Sequence, residues 1–445
     1  MRAALFDRYG GPEVLRVAEV AYPAAGERDV LIRVRAASVN PVDCKIRQGY
    51  QRAFIRYRLP QIVGLDVAGD VVAVGSRVTR FKVGDAVISS PTHRRPGTCA
   101  ELVAIDESAV ALKPARLDYH QGAALPLAGL TAWASLVDAT HVQPGQRVFV
   151  QAGAGGVGTI AVQLAKHLGA TVATTCSGRN VEFLNGLGAD AVIDYTTTRY
   201  EDALRGYDVV LESIGGDARA RSVSVLREGG QMALVVTDIP AAVKKWGTYW
   251  GAARAVANQA RFIAGARWRS GVRVKMVVRP TDGAMLQRLA DVVQSGAVTP
   301  VVDAVLGLDE IAEAHRRVES GRTRGKVVIE EGRRGGRVNG PPTAHNGNRG
   351  GTARTGGVRS NTPSDGRKAL HARSPTGSLS ASERRPRRGA RAARSVWRRP
   401  SGSPDAPARR APLRVRVRAR ARVAGRRRAG QPGAHRCCTA RRRGP

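Results

Sequence analysis

Aromatic residues make up only 4% of the 445-residue sequence, and cysteine appears five times, as Cys44, Cys99, Cys176 and the adjacent Cys437 and Cys438. No two cysteines stand in C-x-x-C spacing and there is no paired Cys/His cluster, which argues against structural zinc and for a reducing compartment. His93 and Cys99 share a loop, but they are two ligand types without a third. No run reaches the roughly 18 consecutive apolar residues of a membrane span, and no basic flank precedes an apolar core at the N-terminus. A cytoplasmic chain with no membrane partner is therefore expected.

Acidic residues are also scarce, 36 Asp and Glu against 72 Lys and Arg, a formal net charge of +36. The imbalance is local. Residues 333–445 hold 31 Lys and Arg against 3 Asp and Glu, so 28 of the 36 positive charges belong to this stretch and the body carries +8. Rich in Arg, Pro, Gly, Ser and Ala, residues 332–445 have too little apolar surface to offset chain entropy, and a disordered tail is predicted. Two readings stand side by side: a genuine flexible tail, or an out-of-frame extension of a GC-rich gene. Nucleic acid is a partner only if the tail is genuine; Trp397 is its sole aromatic platform, and it contains no recognised nucleic-acid module.

The body contains one dominant motif. An apolar run at 148–150 empties into Gly153, Gly155 and Gly158, spaced G-x-G-x-x-G, and a helical pattern follows through Ile160, Val162, Leu164 and Leu168. Such glycines allow a tight turn, close backbone approach to a pyrophosphate, and close helix–strand packing, while the helix N-terminus offers unpaired N–H groups to phosphate. Strands are predicted at 171–175, 191–194, 209–211 and 231–236, with helices at 181–187 and 218–226, which makes a doubly wound parallel sheet. About 20 residues beyond the first glycine, where an NAD site places a carboxylate, stand Thr174, Thr175, Cys176 and Ser177, with Arg179 just after. Hydroxyl and guanidinium favour a 2′-phosphate, and thus NADPH over NADH.

Before the motif the texture changes to short strands, at 3–6, 30–36, 70–74 and 86–89, broken by glycine and proline turns, which predicts an irregular, mainly antiparallel β domain. Helices are expected at 286–293 and 308–320. A strand at 326–329 is expected to return to the first domain, leaving a cleft between the two for the nicotinamide. The segment 241–273, with Trp246, Tyr249, Trp250 and Trp268 among basic residues, is assigned to a cleft border or a dimer contact, and its aromatic spacing fits a core stripe or a lid equally well.

Over residues 1–331 the chain resembles the medium-chain dehydrogenase/reductases, in the zinc-independent, zeta-crystallin-like quinone oxidoreductase branch. The matching text includes Ser38-Val-Asn-Pro-Val-Asp-Cys-Lys-Ile-Arg-Gln-Gly, Val63-Gly-Leu-Asp-Val-Ala-Gly, Leu125-Pro-Leu-Ala-Gly-Leu-Thr-Ala-Trp, Leu187-Gly-Ala-Asp-Ala-Val-Ile-Asp-Tyr and Gly325-Lys-Val-Val-Ile. The resemblance implies a GroES-like β domain at 1–120 and 280–331, a Rossmann domain at 121–279, and a homodimer. Asn40 stands where zinc-dependent members have Cys, and Gly64-Leu-Asp66 where they have Gly-His-Glu, so soft and imidazole ligands are lost. Without a Lewis acid, alcohol oxidation is disfavoured and hydride transfer to a quinone or α,β-unsaturated carbonyl is implied.

The resemblance further implies that Asn40 orients the cofactor or the substrate carbonyl and that Thr131 lies near the cofactor. It assigns Gly153, Gly155, Gly156, Val157 and Gly158 to the pyrophosphate turn and Ser177, Arg179 and Tyr195 to the 2′-phosphate side. Lys326 would close the site, and Asp43 and Asp66 would hold loops. Two other functions remain open: an enoyl-thioester reductase, and a non-enzymatic NADPH-binding protein with a nucleic-acid-binding tail.

Overall fold

The strand Arg147–Val150 is fully apolar after its first residue, and Val148, Phe149 and Val150 have no exposed surface. A strand buried on both faces belongs in the middle of a parallel sheet, and this one does. In the computed structural model, which describes residues 1–332, it sits third in a six-stranded, all-parallel sheet. The order is Ala191–Asp194, Thr171–Cys176, Arg147–Val150, Tyr207–Glu212, Leu226–Leu234, Arg273–Met276. Numbered along the chain this is 3-2-1-4-5-6, the doubly wound order that opens a crevice beside the first strand. Residues 333–445, and with them the expected disorder of the tail, lie outside the described residues.

A second sheet runs Val302–Gly307, Lys326–Glu330, Asp29–Val39, Val67–Val74, Ala86–Ser89, Val110–Leu112, with Leu102–Asp106 paired on Asp29–Val39. Its pairings are antiparallel except that of Val302–Gly307 with Lys326–Glu330. Val327 pairs with Val39, which sets the last strand beside the segment that leads into Asn40. A small antiparallel sheet of Leu15–Glu19, Arg2–Phe6 and Gln61–Ile62 completes this GroES-like part. Its core gathers Phe6, Ile32, Leu65, Val67 and Val327, while the Rossmann core gathers Val148, Val150, Ile160, Leu164 and Leu211.

Several elements extend past their expected limits. The strand expected at 231–236 is Leu226–Leu234, with a register shift opposite Tyr207 and Val209 that accommodates Glu228-Gly229-Gly230. The preceding helix is Asp217–Val225. Segment 241–273 resolves into helices Ile239–Trp246 and Thr248–Ser270, and Arg273–Met276 supplies the sixth parallel strand.

Candidate active site

The glycine turn follows the central strand directly. Gly155 is the N-cap of helix Gly156–His167, and its backbone is extended, with φ at −80°. The three spaced glycines serve different ends. A Cβ on Gly153 would overlap the Thr174 hydroxyl, and one on Gly158 would overlap the Ala152 carbonyl, so both hold the turn against its own strand and neighbour. A Cβ on Gly155 would meet only the Ala152 carbonyl oxygen, at 3.3 Å, leaving space on its outer side where backbone N–H groups and the positive helix end face the crevice. That open cradle fits a dinucleotide pyrophosphate.

The crevice has a volume of about 570 Å³ and is lined from both sheets. Asn40, Gly155, Gly156, Val157, Gly158, Ser177, Arg179, Tyr195 and Lys326 all line it. Gly153 and Thr131 do not: Thr131 is buried in helix Pro126–Trp133, and its hydroxyl donates to the Leu127 carbonyl at 2.8 Å.

At one end Ser177, Arg179, Asn180 and Tyr195 meet Arg322 and Thr323, which reach in from the loop before the last strand. Arg179 donates to the Arg322 carbonyl at 2.9 Å, and Arg324 donates to Asn180 at 3.0 Å, so this end is a basic rim held across the two halves. Asp194 is outside the lining; the Thr196 hydroxyl and N–H hold its carboxyl below the ordinary value. Sequence reasoning missed Arg322 and Thr323. The signal was present in Gly321-Arg-Thr-Arg-Gly325, a glycine-bracketed basic loop just ahead of Lys326.

At the other end the walls are Val39, Pro41, Leu127, Ala128 and Val327, around Asn40. Asn40 is buried and almost fully committed. Its amide NH₂ donates to Asp66 at 2.8 Å and to Asp43 at 3.3 Å, and its oxygen accepts from the Lys326 ammonium. What remains free is acceptor capacity on that oxygen. Lys326 spends its other protons on Asp66 at 3.2 Å and the Val39 carbonyl at 3.3 Å, while its aliphatic stem lies under Gly156. Asp66 also accepts from Ser38 at 2.8 Å and from the Leu127 N–H at 2.7 Å. Burial pushes the Asp43 carboxyl up to about 7.

The halves meet at the glycine turn in a parallel bridge between Gly325 and Gly155, in which the Gly325 N–H donates to the Ala154 carbonyl at 2.8 Å. Gly325 has φ at +84°, and a Cβ there would overlap the Val301 carbonyl. Only glycine fits that crossing.

The chain matches the family model described as alcohol dehydrogenase GroES-like domain over residues 26–136 and that described as zinc-binding dehydrogenase over residues 187–329. It is 38% identical over 341 residues to the 2-methylene-furan-3-one reductase of Solanum lycopersicum, covering 74% of this chain and 79% of that one. The chain is a medium-chain dehydrogenase/reductase of the quinone oxidoreductase branch. It is also 37% identical to the chloroplastic NADPH-dependent alkenal/one oxidoreductase of Arabidopsis thaliana, with the same coverages. The solved quinone oxidoreductase of Coxiella burnetii superposes with a TM-score of 0.65 at 32% identity, over 74% of this chain and 99% of that one.

The residues of the chain do not fit the zinc in one family model's description. Among the described residues no group of three or more His, Cys, Asp and Glu side chains is set to hold a metal ion. At the Asn40 end of the crevice the Lys326 ammonium already holds the Asp66 carboxylate, and Asn40 offers a single neutral oxygen. A divalent cation would meet a fixed positive charge there.

Proposed function

We propose that this reductase transfers hydride from NADPH to a quinone or an α,β-unsaturated carbonyl. When bound, NADPH supplies the hydride from its nicotinamide ring. The observation that carries the reading is the Asn40 end of the crevice, where a lysine, a carboxylate and an amide satisfy one another among apolar walls. Nothing in that arrangement ionises an alcohol, so the acceptor must already be electrophilic.

The residues then have simple tasks. Gly155 and the following helix end receive the pyrophosphate, Arg179 and Arg322 face the adenosine 2′-phosphate with Ser177 and Tyr195, and the Asn40 oxygen accepts from the nicotinamide amide or a ribose hydroxyl. Val39, Leu127 and Val327 give the acceptor an apolar wall to lie against. The lining contains no Asp, Glu or His. The reduced acceptor therefore takes its proton from solvent.

The reading extends to a cytoplasmic homodimer. Cys44, Cys99 and Cys176 are free thiols, which suits a reducing compartment, and Arg273–Met276 is an edge strand on which a second copy could extend the sheet. The test follows NADPH absorbance with a panel of benzoquinones, naphthoquinones, alkenals, enones and enoyl thioesters. Turnover of quinones or enones with NADPH supports the proposal; turnover confined to enoyl thioesters, or stoichiometric NADPH binding with no oxidation, overturns it.

A further inference from the structure

The helix Thr248–Ser270 spans 23 residues and buries only one face, through Gly251, Ala252, Ala255, Gln259 and Ala266. Gly251 lets it approach the preceding helix, since a Cβ there would overlap the Ala242 carbonyl. The opposite face runs Trp250, Arg254, Ala257, Arg261, Ala264, Trp268, each exposed, at spacings of four and three. Trp250 is 82% and Trp268 86% exposed, and they stand 18 residues apart, five helical turns or about 27 Å along one stripe. Lone surface tryptophans need no explanation, but two on one straight face, with Trp246 under the Arg254 guanidinium at its start, form a patch shaped for contact.

Charge identifies what the contact is with. Between Ile239 and Thr281 the chain has nine Lys and Arg and no Asp or Glu. A second copy would bring Arg254 and Arg261 against their own kind, and the basic stretch 333–445 is repelled in the same way. The occupant must be anionic. Between its tryptophans the stripe holds only Ala and Arg, and two indoles about 27 Å apart give no platform on which successive bases could stack. Indole rings at headgroup depth with arginines among lipid phosphates match a planar bilayer face.

We propose that this helix face docks the protein on an anionic lipid surface, lying in the headgroup layer. No helix among the described residues is long and apolar enough to cross a membrane, so the contact is peripheral. The proposal departs from the expectation of no membrane partner, and it stands whichever acceptor the crevice reduces.

The full-length chain is tested by flotation with vesicles of phosphatidylcholine alone and with about 30 mol% phosphatidylglycerol. Trp250→Ser/Trp268→Ser and Arg254→Glu/Arg261→Glu double variants are compared with the parent, and circular dichroism and melting check that each is folded. Binding to anionic but not neutral vesicles, reduced at least about tenfold in both variants, supports docking through this face. Undiminished binding in the variants assigns the affinity to residues 333–445 and overturns the proposal. So does a dimer that the tryptophan substitutions dissociate, or a loss of affinity for single-stranded RNA with vesicle binding unchanged.

Discussion

The Lys326 ammonium lies 3.2 Å from the Asp66 carboxylate, 260 residues apart in sequence and both buried. A buried pair adds little net stability, but removing one partner strands the other charge in a low dielectric. Asp66→Ala is expected to lower unfolding free energy by about 3–5 kcal/mol, read by urea denaturation. A loss below about 1 kcal/mol would mean that Lys326 finds solvent or another partner, as exposed pairs do.

Gly155 and Gly153 separate cofactor binding from folding. Gly155→Val is expected to remove NADPH binding in a fluorescence titration with little change in melting temperature, because its Cβ meets only the Ala152 oxygen at 3.3 Å. Gly153→Ala instead forces Thr174 or the turn to move and is expected to cost about 1–3 kcal/mol of stability by overpacking. Equal melting losses in the two variants would refute this division of roles.

Arg179 faces the basic rim with Arg322. Replacing Arg179 with Ala is expected to weaken NADPH binding about 10- to 100-fold, the worth of a hydrogen bond to a charged group, and to change NADH affinity by less than about threefold. Calorimetry with both nucleotides decides it; equal losses would place the guanidinium away from the 2′-phosphate.

Asp43 makes stability depend on pH. Burial raises its carboxyl from 3.8 to about 7, with the Asp66 charge adding to the rise and hydrogen bonds from Asn40 opposing it. Between those values the folded chain holds a proton that the unfolded chain has released. The contribution is full below pH 3.8 and is lost as pH rises through about 7. Asp43→Asn keeps an oxygen for the Asn40 N–H and cannot ionise. Its stability relative to the parent should therefore climb across this window, and a constant difference would show that the group titrates normally.

The parallel sheet was legible because strands such as Arg147–Val150 and Thr171–Cys176 are short apolar runs closed by glycine turns, where local pattern and burial agree. The helix Thr248–Ser270 was not, because its buried face is Ala, Gly and Gln while its tryptophans point outward, the reverse of the usual stripe. Arg273–Met276 hid in the same basic stretch, and Glu228-Gly229-Gly230 reads as a turn although the strand runs through it. Nine of the crevice residues could be named from motifs, but their division of labour could not. That Asn40 has spent both amide protons on Asp43 and Asp66, and that Arg322 faces Arg179, depend on side-chain geometry that no motif states.

The crossing at Gly155 and Gly325 also sets an order of events during synthesis. A nascent chain that stops before Gly321 already contains the whole six-stranded sheet and all three spaced glycines, yet it lacks Arg322, Thr323 and Lys326. One wall of the nucleotide crevice is missing from it, and Asp66 and Asn40 are without their cation. Nucleotide capture then comes after Lys326–Glu330 emerges from the ribosome, and the stabilisation that a ligand confers by binding only the folded state goes to chains in which that strand is in place.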